Sequence, residues 1–341
     1  MKRFAWPIIF SLLLGLFTLW LALDTFVIVH VYEVTEQPQQ ARQAESTASP
    51  PPTQQATATE HPQEAKRSQQ QERNQFGSGT TSSNNRDSSR GSQSEEEETV
   101  ADRSYQDENI SITLTEYRIH DTTVYVADVT LASTDLLKTA FAKGSYGRNV
   151  TETTSEMAED VDAILAINGD YYGSRQRGYV ARSGVLYRDS ADSDREALAI
   201  MDDGSFRIVE EGRVSAQSLM DDGAIHIFSF GPGLLQDDAI IVTRTDEVGK
   251  AKEDNPRTAI GIIEPGHYIL LVADGRTDES EGLTLYELAE FMQELGVVTA
   301  YNLDGGGSST MVFMGEVINN PTSGGRKESE RSVSDIVYIG Y

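Results

Sequence analysis

The stretch from Tyr301 to Met311 reads Tyr-Asn-Leu-Asp-Gly-Gly-Gly-Ser-Ser-Thr-Met. An apolar, strand-like run over Val297 to Leu303 ends there in the carboxylate of Asp304, three glycines and three hydroxyls. Glycine lets a backbone approach a ligand closely, and the N–H groups it exposes suit an anion. A carboxylate in the same place supplies charge or acid–base chemistry. A turn closed by the Asp side chain is the plain alternative, yet Gly305, Gly306 and Gly307 are more glycine than a hairpin needs. Known phosphate loops do not fit. No lysine follows the glycines, and residues 305–310 lack the last glycine of a dinucleotide fingerprint. Thr310 stands where a nucleophile elbow needs its second glycine.

Other stretches share this mixture of glycine, carboxylate and arginine. They are Ala166-Ile167-Asn168-Gly169-Asp170-Tyr171-Tyr172, Arg182-Ser183-Gly184-Val185-Leu186 and Phe230-Gly231-Pro232-Gly233-Leu234-Leu235. Asn255-Pro256-Arg257-Thr258-Ala259-Ile260-Gly261, Val272-Ala273-Asp274-Gly275-Arg276 and Arg331-Ser332-Val333-Ser334-Asp335 follow. In this order, and over roughly residues 108 to 341, the set resembles the phosphodiester glycosidases related to the uncovering enzyme, which removes N-acetylglucosamine from a phosphodiester. Each motif alone is weak, and the ordered set is specific.

The resemblance implies a hydrolase that cuts the glycosidic bond of a sugar-1-phosphodiester. Such a reaction passes through an oxocarbenium-like transition state that wants a nearby carboxylate or a positioned water. The departing phosphodiester is already a stable anion, so charge neutralisation by arginine matters more than protonation. Asp170, Asp304 and Asp274 are the candidate catalytic carboxylates, with Asp170 and Asp304 placed nearest the sugar. Arg182 and Arg257 are assigned to the phosphate, with Arg276 beside the strand edge. Asn168, Asn302, Gly305, Gly306, Gly307, Ser308 and Ser309 complete the expected substrate-binding set. Acid, base and nucleophile are left unassigned. Tyr171 and Tyr172 are not both expected to stack on a sugar, since tyrosine after a strand is commonly core.

The elements that must position these residues follow from patterning. Ile110 to Arg118 and Thr123 to Leu131 alternate and flank His120-Asp121, a hairpin signal. Thr153 to Glu159 predicts a short helix before an apolar strand over Ala163 to Ile167. Short strands are expected over Gly184 to Tyr187, Leu198 to Met201, Phe206 to Val209, Ile225 to Phe230 and Ile240 to Thr243. Tyr268 to Ala273 reads as a buried strand. Thr284 then opens a helix, with Glu287 completing a capping box and Leu285, Leu288, Phe291, Met292 and Leu295 as its apolar stripe. Gly296 stops it. With Val297 to Leu303 this makes a parallel right-handed strand–helix–strand unit. Its two strands should end on one edge, carrying Asp274 and Asp304, where ligands collect. The expected fold is α+β: large, mainly antiparallel sheets, few helices, one parallel unit bearing the site, and an N-terminal transmembrane helix.

The chain divides by composition into residues 1–33, 34–107 and 108–341. Phe4 to Leu23 is charge-free, and twenty helical residues span a hydrocarbon core of about 30 Å. A cleavable signal sequence would have a shorter apolar region and a small-residue cleavage site. Lys2 and Arg3 ahead of the run place the N-terminus in the cytoplasm and the rest outside. Residues 34–107 are rich in Gln, Ser, Thr, Glu and Pro, too poor in apolar side chains to offset ordering entropy. They read as a disordered tether to an extracellular catalytic domain.

The chain has no cysteine, which excludes disulfides and thiolate chemistry and, in an exported domain, fits a bacterium. Its five histidines show no metal-ligand spacing. The net charge of −26 repels nucleic acid. Most of it sits in residues 108–341, where 40 Asp and Glu face 19 Lys and Arg, so local arginines must overcome the field to hold an anionic glycan. The expected partners are a cell-surface glycan or sugar-phosphate polymer and, through the N-terminal helix, the membrane. No cofactor is required on this reading. A metal-assisted phosphodiesterase, with Asp170, Asp274 and Asp304 holding Ca²⁺ or Mg²⁺, is one alternative; a non-catalytic glycan-binding module is the other.

Overall fold

The site motifs are delivered by sheets whose strands are buried on both faces. The computed structural model describes residues 5–32, 100–245, 254–323 and 327–341. Among them, the strands form an eight-stranded sheet, two five-stranded sheets and two small two-stranded ones. The eight-stranded sheet runs, in spatial order, Ala239–Ile240, Gly233–Gln236, Thr299–Asn302, Arg257–Glu264, His267–Ala273, Thr122–Leu131, Ile110–Ile119 and Val100–Gln106. Its outermost strand starts at Val100, ahead of residue 108 where composition places the domain. The rest of the expected linker, up to residue 99, lies outside the described residues.

Ile110–Ile119 and Thr122–Leu131 pair as a hairpin in which His120 and Asp121 both take positive φ, 44° and 52°. That is the conformation a two-residue loop needs to match strand twist. The expected buried strand is His267–Ala273. Leu270 and Val272 point into one core, while Ile269, Leu271 and Ala273 point into another. A strand covered on both faces has no reason to alternate with polar residues. The second core lies under the Leu285–Glu294 helix, where Thr284 and Glu287 form the capping box and Leu285, Leu288, Phe291 and Met292 are buried. Each such large side chain contributes about 1.5–3 kcal/mol on burial.

The strand–helix–strand unit departs from the expected parallel pairing. His267–Ala273 and Thr299–Asn302 run the same way but do not touch, because Arg257–Glu264 lies between them, antiparallel to both. The reason is local: the chain reverses at Pro265-Gly266, with Gly266 at φ 88°, and the hairpin partner takes the edge that the crossover would have used. The register keeps the shared end. Arg257 pairs with Ala273 and Ala259 with Asn302, so Asp274 and Asp304 both leave the sheet beside Pro256.

One five-stranded sheet is ordered Glu316–Val317, Met311–Phe313, Leu165–Asn168, Asp335–Ile339, Leu137–Phe141. The other is ordered Phe206–Glu210, Glu196–Met201, Ala224–Phe228, Gly178–Arg182, Val185–Ser190. Residues 303–310 therefore leave the eight-stranded sheet at Asn302 and enter a different sheet at Met311. Leu165, Ile167, Leu198, Phe228, Val337 and Ile339 join Ile260 and Leu270 in the core where the sheets meet.

A 22-residue helix, Ala5–Phe26, precedes the domain. Phe10, Leu12, Leu13, Leu16 and Phe17 expose more than half of their surface. Counting only the residues whose side chains are described, no helix is long and apolar enough to cross a membrane. After the helix, His30–Val31 pairs with Gly147–Arg148, and Arg148 Nη2 lies 3.2 Å from Asp24 Oδ2. The segment thus meets the domain directly, ahead of the residues read as its tether.

Candidate active site

Asn168 ends its strand where two sheets and the glycine loop meet and is completely buried. Its Nδ2 donates to the Asp304 carbonyl at 2.6 Å, and its Oδ1 accepts from Thr258 Oγ1 at 2.8 Å and Thr310 N at 3.2 Å. Expected on the substrate, it instead ties the glycine loop to two strands. Asn302 is likewise buried, with Nδ2 on the Gly231 carbonyl at 2.8 Å.

Gly169 follows Asn168, and its N–H donates to the Asp335 carbonyl at 2.9 Å. A β-carbon here would lie 2.4 Å from Asp335 Oδ1, so the position admits no side chain without displacing that carboxylate. Arg182, ending the Gly178–Arg182 strand, reaches in from the neighbouring sheet. Its Nε and Nη2 donate to Asp335 Oδ2 at 3.0 and 2.6 Å, and Nη2 sits 3.1 Å from Asp170 Oδ2. Its Nη1 donates to the carbonyls of Ala181 and Ile227, and its guanidinium lies 4.0 Å from the Phe228 ring centre. Asp170 also accepts from the N–H groups of Tyr172 and Ser229, both at 3.0 Å. Asp170, Arg182 and Asp335 are all buried.

Two carboxylates on one guanidinium leave surplus negative charge in a dry place. Burial pushes the Asp335 carboxyl up to about 7; Arg182 opposes this and Asp170 adds to it. Among the described residues Asp335 Oδ1 has no hydrogen-bond partner, so it is the oxygen with room for a proton. Burial alone would lower the Arg182 guanidinium, but Asp335 and Asp170 raise it. Nearby His226 is buried, and desolvation aided by Arg182 pushes it down to about 3. It stays neutral, accepting from Ser183 N on Nδ1, which makes Nε2 the donor to the Leu137 carbonyl at 3.3 Å.

Asp304 is also buried but not sealed, its side chain 10 % exposed against 0 % for Asp170. Its Oδ2 accepts from Ser308 Oγ at 2.6 Å and Arg331 Nη2 at 3.0 Å. Arg331 also donates from Nε to Ser308 Oγ at 2.9 Å and from Nη2 to the Gly305 carbonyl at 3.2 Å. Burial pushes the Asp304 carboxyl up, with Arg331, Ser308 and Arg175 holding it back. The loop is pinned to the sheet because Gly306 N–H donates to the Pro256 carbonyl at 2.8 Å. A β-carbon on Gly305 would sit 2.7 Å from that same oxygen. Gly306, at φ 65°, lets the Arg276 guanidinium come within about 3.0 Å of where a side chain would begin. Gly307, Ser308 and Ser309 are buried, so this face of the loop presents backbone.

The arginines divide. Arg182 and Arg257, assigned to the phosphate on sequence, are both buried; Arg257 Nε donates to the Leu283 carbonyl at 2.7 Å. Arg276 and Arg331 are exposed. Arg276 rests on Asn255 Oδ1 at 2.8 and 3.0 Å, and burial together with the Arg331 charge lowers it. Arg175 lies 4.8 Å from the Phe230 ring centre, and its charge is felt by Asp170 and Asp304. Tyr171 is exposed at the rim, whereas Tyr172 is core.

Asp274 turns away from this cluster. Its Oδ1 accepts from Asn319 Nδ2 and Asn320 N–H, both at 3.0 Å, and burial raises it. The metal alternative needed Asp170, Asp274 and Asp304 as one set of oxygen donors; the structure gives each its own partners. Among the described residues no group of three or more His, Asp or Glu side chains is placed to hold a metal. Arg331, Asp335 and Arg175 were not singled out on sequence. The first two lie in the Arg331-Ser332-Val333-Ser334-Asp335 stretch, whose charge pattern was the available signal, and nothing local marked Arg175.

Known proteins resemble this chain in sequence and in fold. The family model for phosphodiester glycosidases matches residues 162–340, just over half of the 341 residues. An SPbeta prophage-derived uncharacterized protein of Bacillus subtilis, YomE, is 31% identical over 201 residues, 58% of this chain and 31% of that one. Mouse N-acetylglucosamine-1-phosphodiester alpha-N-acetylglucosaminidase is 30% identical over 196 residues, 52% of this chain and 37% of that one. The chain thus spans about a third of the length of these curated relatives. In fold, it superposes on the catalytic domain of the zebrafish N-acetylglucosamine-1-phosphodiester alpha-N-acetylglucosaminidase, auto-inhibited by its pro-peptide, with a TM-score of 0.54. That match has 20% identity and covers 72% of this chain and 88% of the zebrafish one. By the family match, the chain belongs to the phosphodiester glycosidase family.

Proposed function

We propose that the chain hydrolyses the glycosidic bond of a sugar-1-phosphodiester in a cell-surface glycan or sugar-phosphate polymer. The observation that carries this reading is the pairing of the Asp304 carboxylate, 10 % exposed, with exposed Arg331, beside Arg276 and within the field of Arg175. The exposed guanidiniums suit the phosphate oxygens of the leaving group, where charge-assisted hydrogen bonds are strongest. Asp304 then faces the anomeric carbon, stabilising positive charge there or drawing a proton from the attacking water. The Asp170–Arg182–Asp335 group lies beneath, out of reach of substrate, and holds the floor of the site in place. Hydrolysis of a sugar-1-phosphodiester in ¹⁸O-labelled water tests the reaction. Label in the freed sugar means C–O cleavage and supports the reading; label in the phosphate means P–O cleavage and defeats it.

The same reading places the domain outside a membrane, held by Ala5–Phe26 as an uncleaved anchor. Exposed Phe10, Leu12, Leu13 and Leu16 on a 22-residue helix favour hydrocarbon over water. Mass spectrometry of the membrane-fraction protein should recover the N-terminal peptide. A mature N-terminus beyond residue 24 in that fraction would remove the anchor.

A further inference from the structure

A cavity of about 530 Å³ opens beside the site, lined by Arg148, Arg175 and Arg188 together with aromatic rings. Tyr146 and Tyr172 stack in its wall with ring centres 5.1 Å apart and planes at 16°. Tyr187 stands 4.9 Å from Tyr146. The last part of the wall is Tyr32, whose N–H donates to the Tyr146 carbonyl at 2.9 Å. The segment after the N-terminal helix is therefore a structural piece of this cavity.

Its charge is unusual for a chain of net charge −26. Arg188 donates from Nε to the Gly178 carbonyl at 2.8 Å and from Nη1 to the carbonyls of Arg175 and Tyr172 at 2.7 and 3.1 Å. Carbonyls fix a guanidinium without cancelling its charge. Among the described residues, neither Arg175 nor Arg188 has a carboxylate within ion-pair distance. Uncompensated arginines at a cavity mark an anion site, and a planar fork matches phosphate oxygens. The exposed Tyr32 ring beside them suits the apolar face of a sugar. Arg175 belongs to both places, since its charge reaches Asp170 and Asp304.

We propose that this cavity is a second phosphate subsite: it holds the phosphate of the unit next to the bond being cut. The enzyme then prefers a polymer of sugar phosphates over an isolated sugar-1-phosphodiester. This rests on the hydrolase reading above for turnover, but the subsite is testable without it.

The kinetic test compares, with the full chain in detergent, a sugar-1-phosphodiester carrying one phosphate and the same sugar carrying a second phosphodiester on its far side. The expected kcat/KM is at least tenfold higher for the two-phosphate substrate. Arg188→Gln should bring that ratio toward one. If Arg188→Gln does not fold, Arg148→Gln frees the Asp24 carboxylate that Arg148 pairs, makes the cavity more negative and should lower the ratio severalfold. Equal kcat/KM on the two substrates, or a ratio unmoved in a folded variant, would overturn the subsite. Calorimetric titration with inorganic phosphate reads it independently of turnover. Binding weakened about tenfold by Arg188→Gln, or severalfold by Arg148→Gln, supports the subsite even if neither substrate is hydrolysed, an outcome that would sink the hydrolase reading alone. No phosphate binding by the parent, or binding indifferent to the variants, would overturn the subsite.

Discussion

Ser308 Oγ stands 2.6 Å from Asp304 Oδ2, four residues along the same loop, and so turns the glycine run into a clamp on its own carboxylate. With Arg331 on the same oxygen, Asp304 has one oxygen fixed, and among the described residues Oδ1 makes no hydrogen bond. That division is what a group acting at a reacting carbon requires: position from one side, availability on the other.

Asp304→Asn is expected to lower the rate on a sugar-1-phosphodiester by about 100-fold or more while the domain stays folded. Arg331, the partner left behind, is 42 % exposed and keeps its hydration. Steady-state rates beside thermal unfolding curves decide it. An active variant would take Asp304 out of the mechanism, and an unfolded one would make its role structural.

Asp274→Asn should behave differently. Its carboxylate serves Asn319 and Asn320, so the rate is expected to stay within about tenfold of the parent. Asp274→Ala, which removes one acceptor from the buried Asn319 side chain and from the part-buried Asn320 N–H, should cost about 1–3 kcal/mol of stability. A rate for the folded Asp274→Asn protein as low as that of Asp304→Asn would return Asp274 to the chemistry.

Gly169→Ala forces a β-carbon against Asp335 Oδ1. Overpacking of this kind costs about 1–3 kcal/mol, read as a shift of the denaturant midpoint at unchanged slope. Gly169 is not among the glycines with positive φ, so a loss reports the contact and not the backbone. An unshifted midpoint would mean that contact with Asp335 is not the reason for glycine at 169.

The stability that Asp335 contributes should fall as pH rises from about 4 to about 7, while buried His226, pushed down to about 3, acts in the opposite direction over the same range. Asp335 has a folded pKa of about 7, above an unfolded value of about 3.9. The folded state therefore binds more protons across that window. The stabilisation is fully present below the unfolded value and is lost as pH rises through the folded one. Buried Asp274 and Asp304 are raised too and act in the same direction. Calorimetric melting temperatures from pH 4 to 8 should show the decline as the difference between the parent and Asp335→Asn, in which His226 cancels. A slope identical in parent and variant would mean that Asp335 is ionised throughout.

Legibility in the sequence followed the range of each interaction. The Leu285–Glu294 helix was readable because its capping box and apolar stripe are written within a dozen residues. The His120-Asp121 hairpin was readable for the same reason. Arg257–Glu264 escaped as a strand because burial on both faces removes alternation and Gly261 breaks its apolar run. With it escaped the strand that separates His267–Ala273 from Thr299–Asn302. In the site, the loop after Leu303 announced Asp304. Arg331 joins Asp304 from 27 residues away, and Asp335 joins Arg182 from 153 away; no spacing rule links such pairs. Reading Arg182 and Arg257 as phosphate ligands failed to foresee burial, since an arginine that serves a ligand and one that serves a carboxylate or carbonyl look alike in one dimension.

Residues 303–310 begin in one sheet and end in another, so the position of Asp304 is a measurement of the gap between them. A loop closing on its own sheet would ride along with any small repacking. This one converts relative slip of the two layers into displacement of its carboxylate, and a displacement of about 1 Å can cost 100-fold in rate. Conservative exchanges at Ile260 or Val337, on opposite layers of the shared core, should therefore register in turnover well before they register in melting temperature.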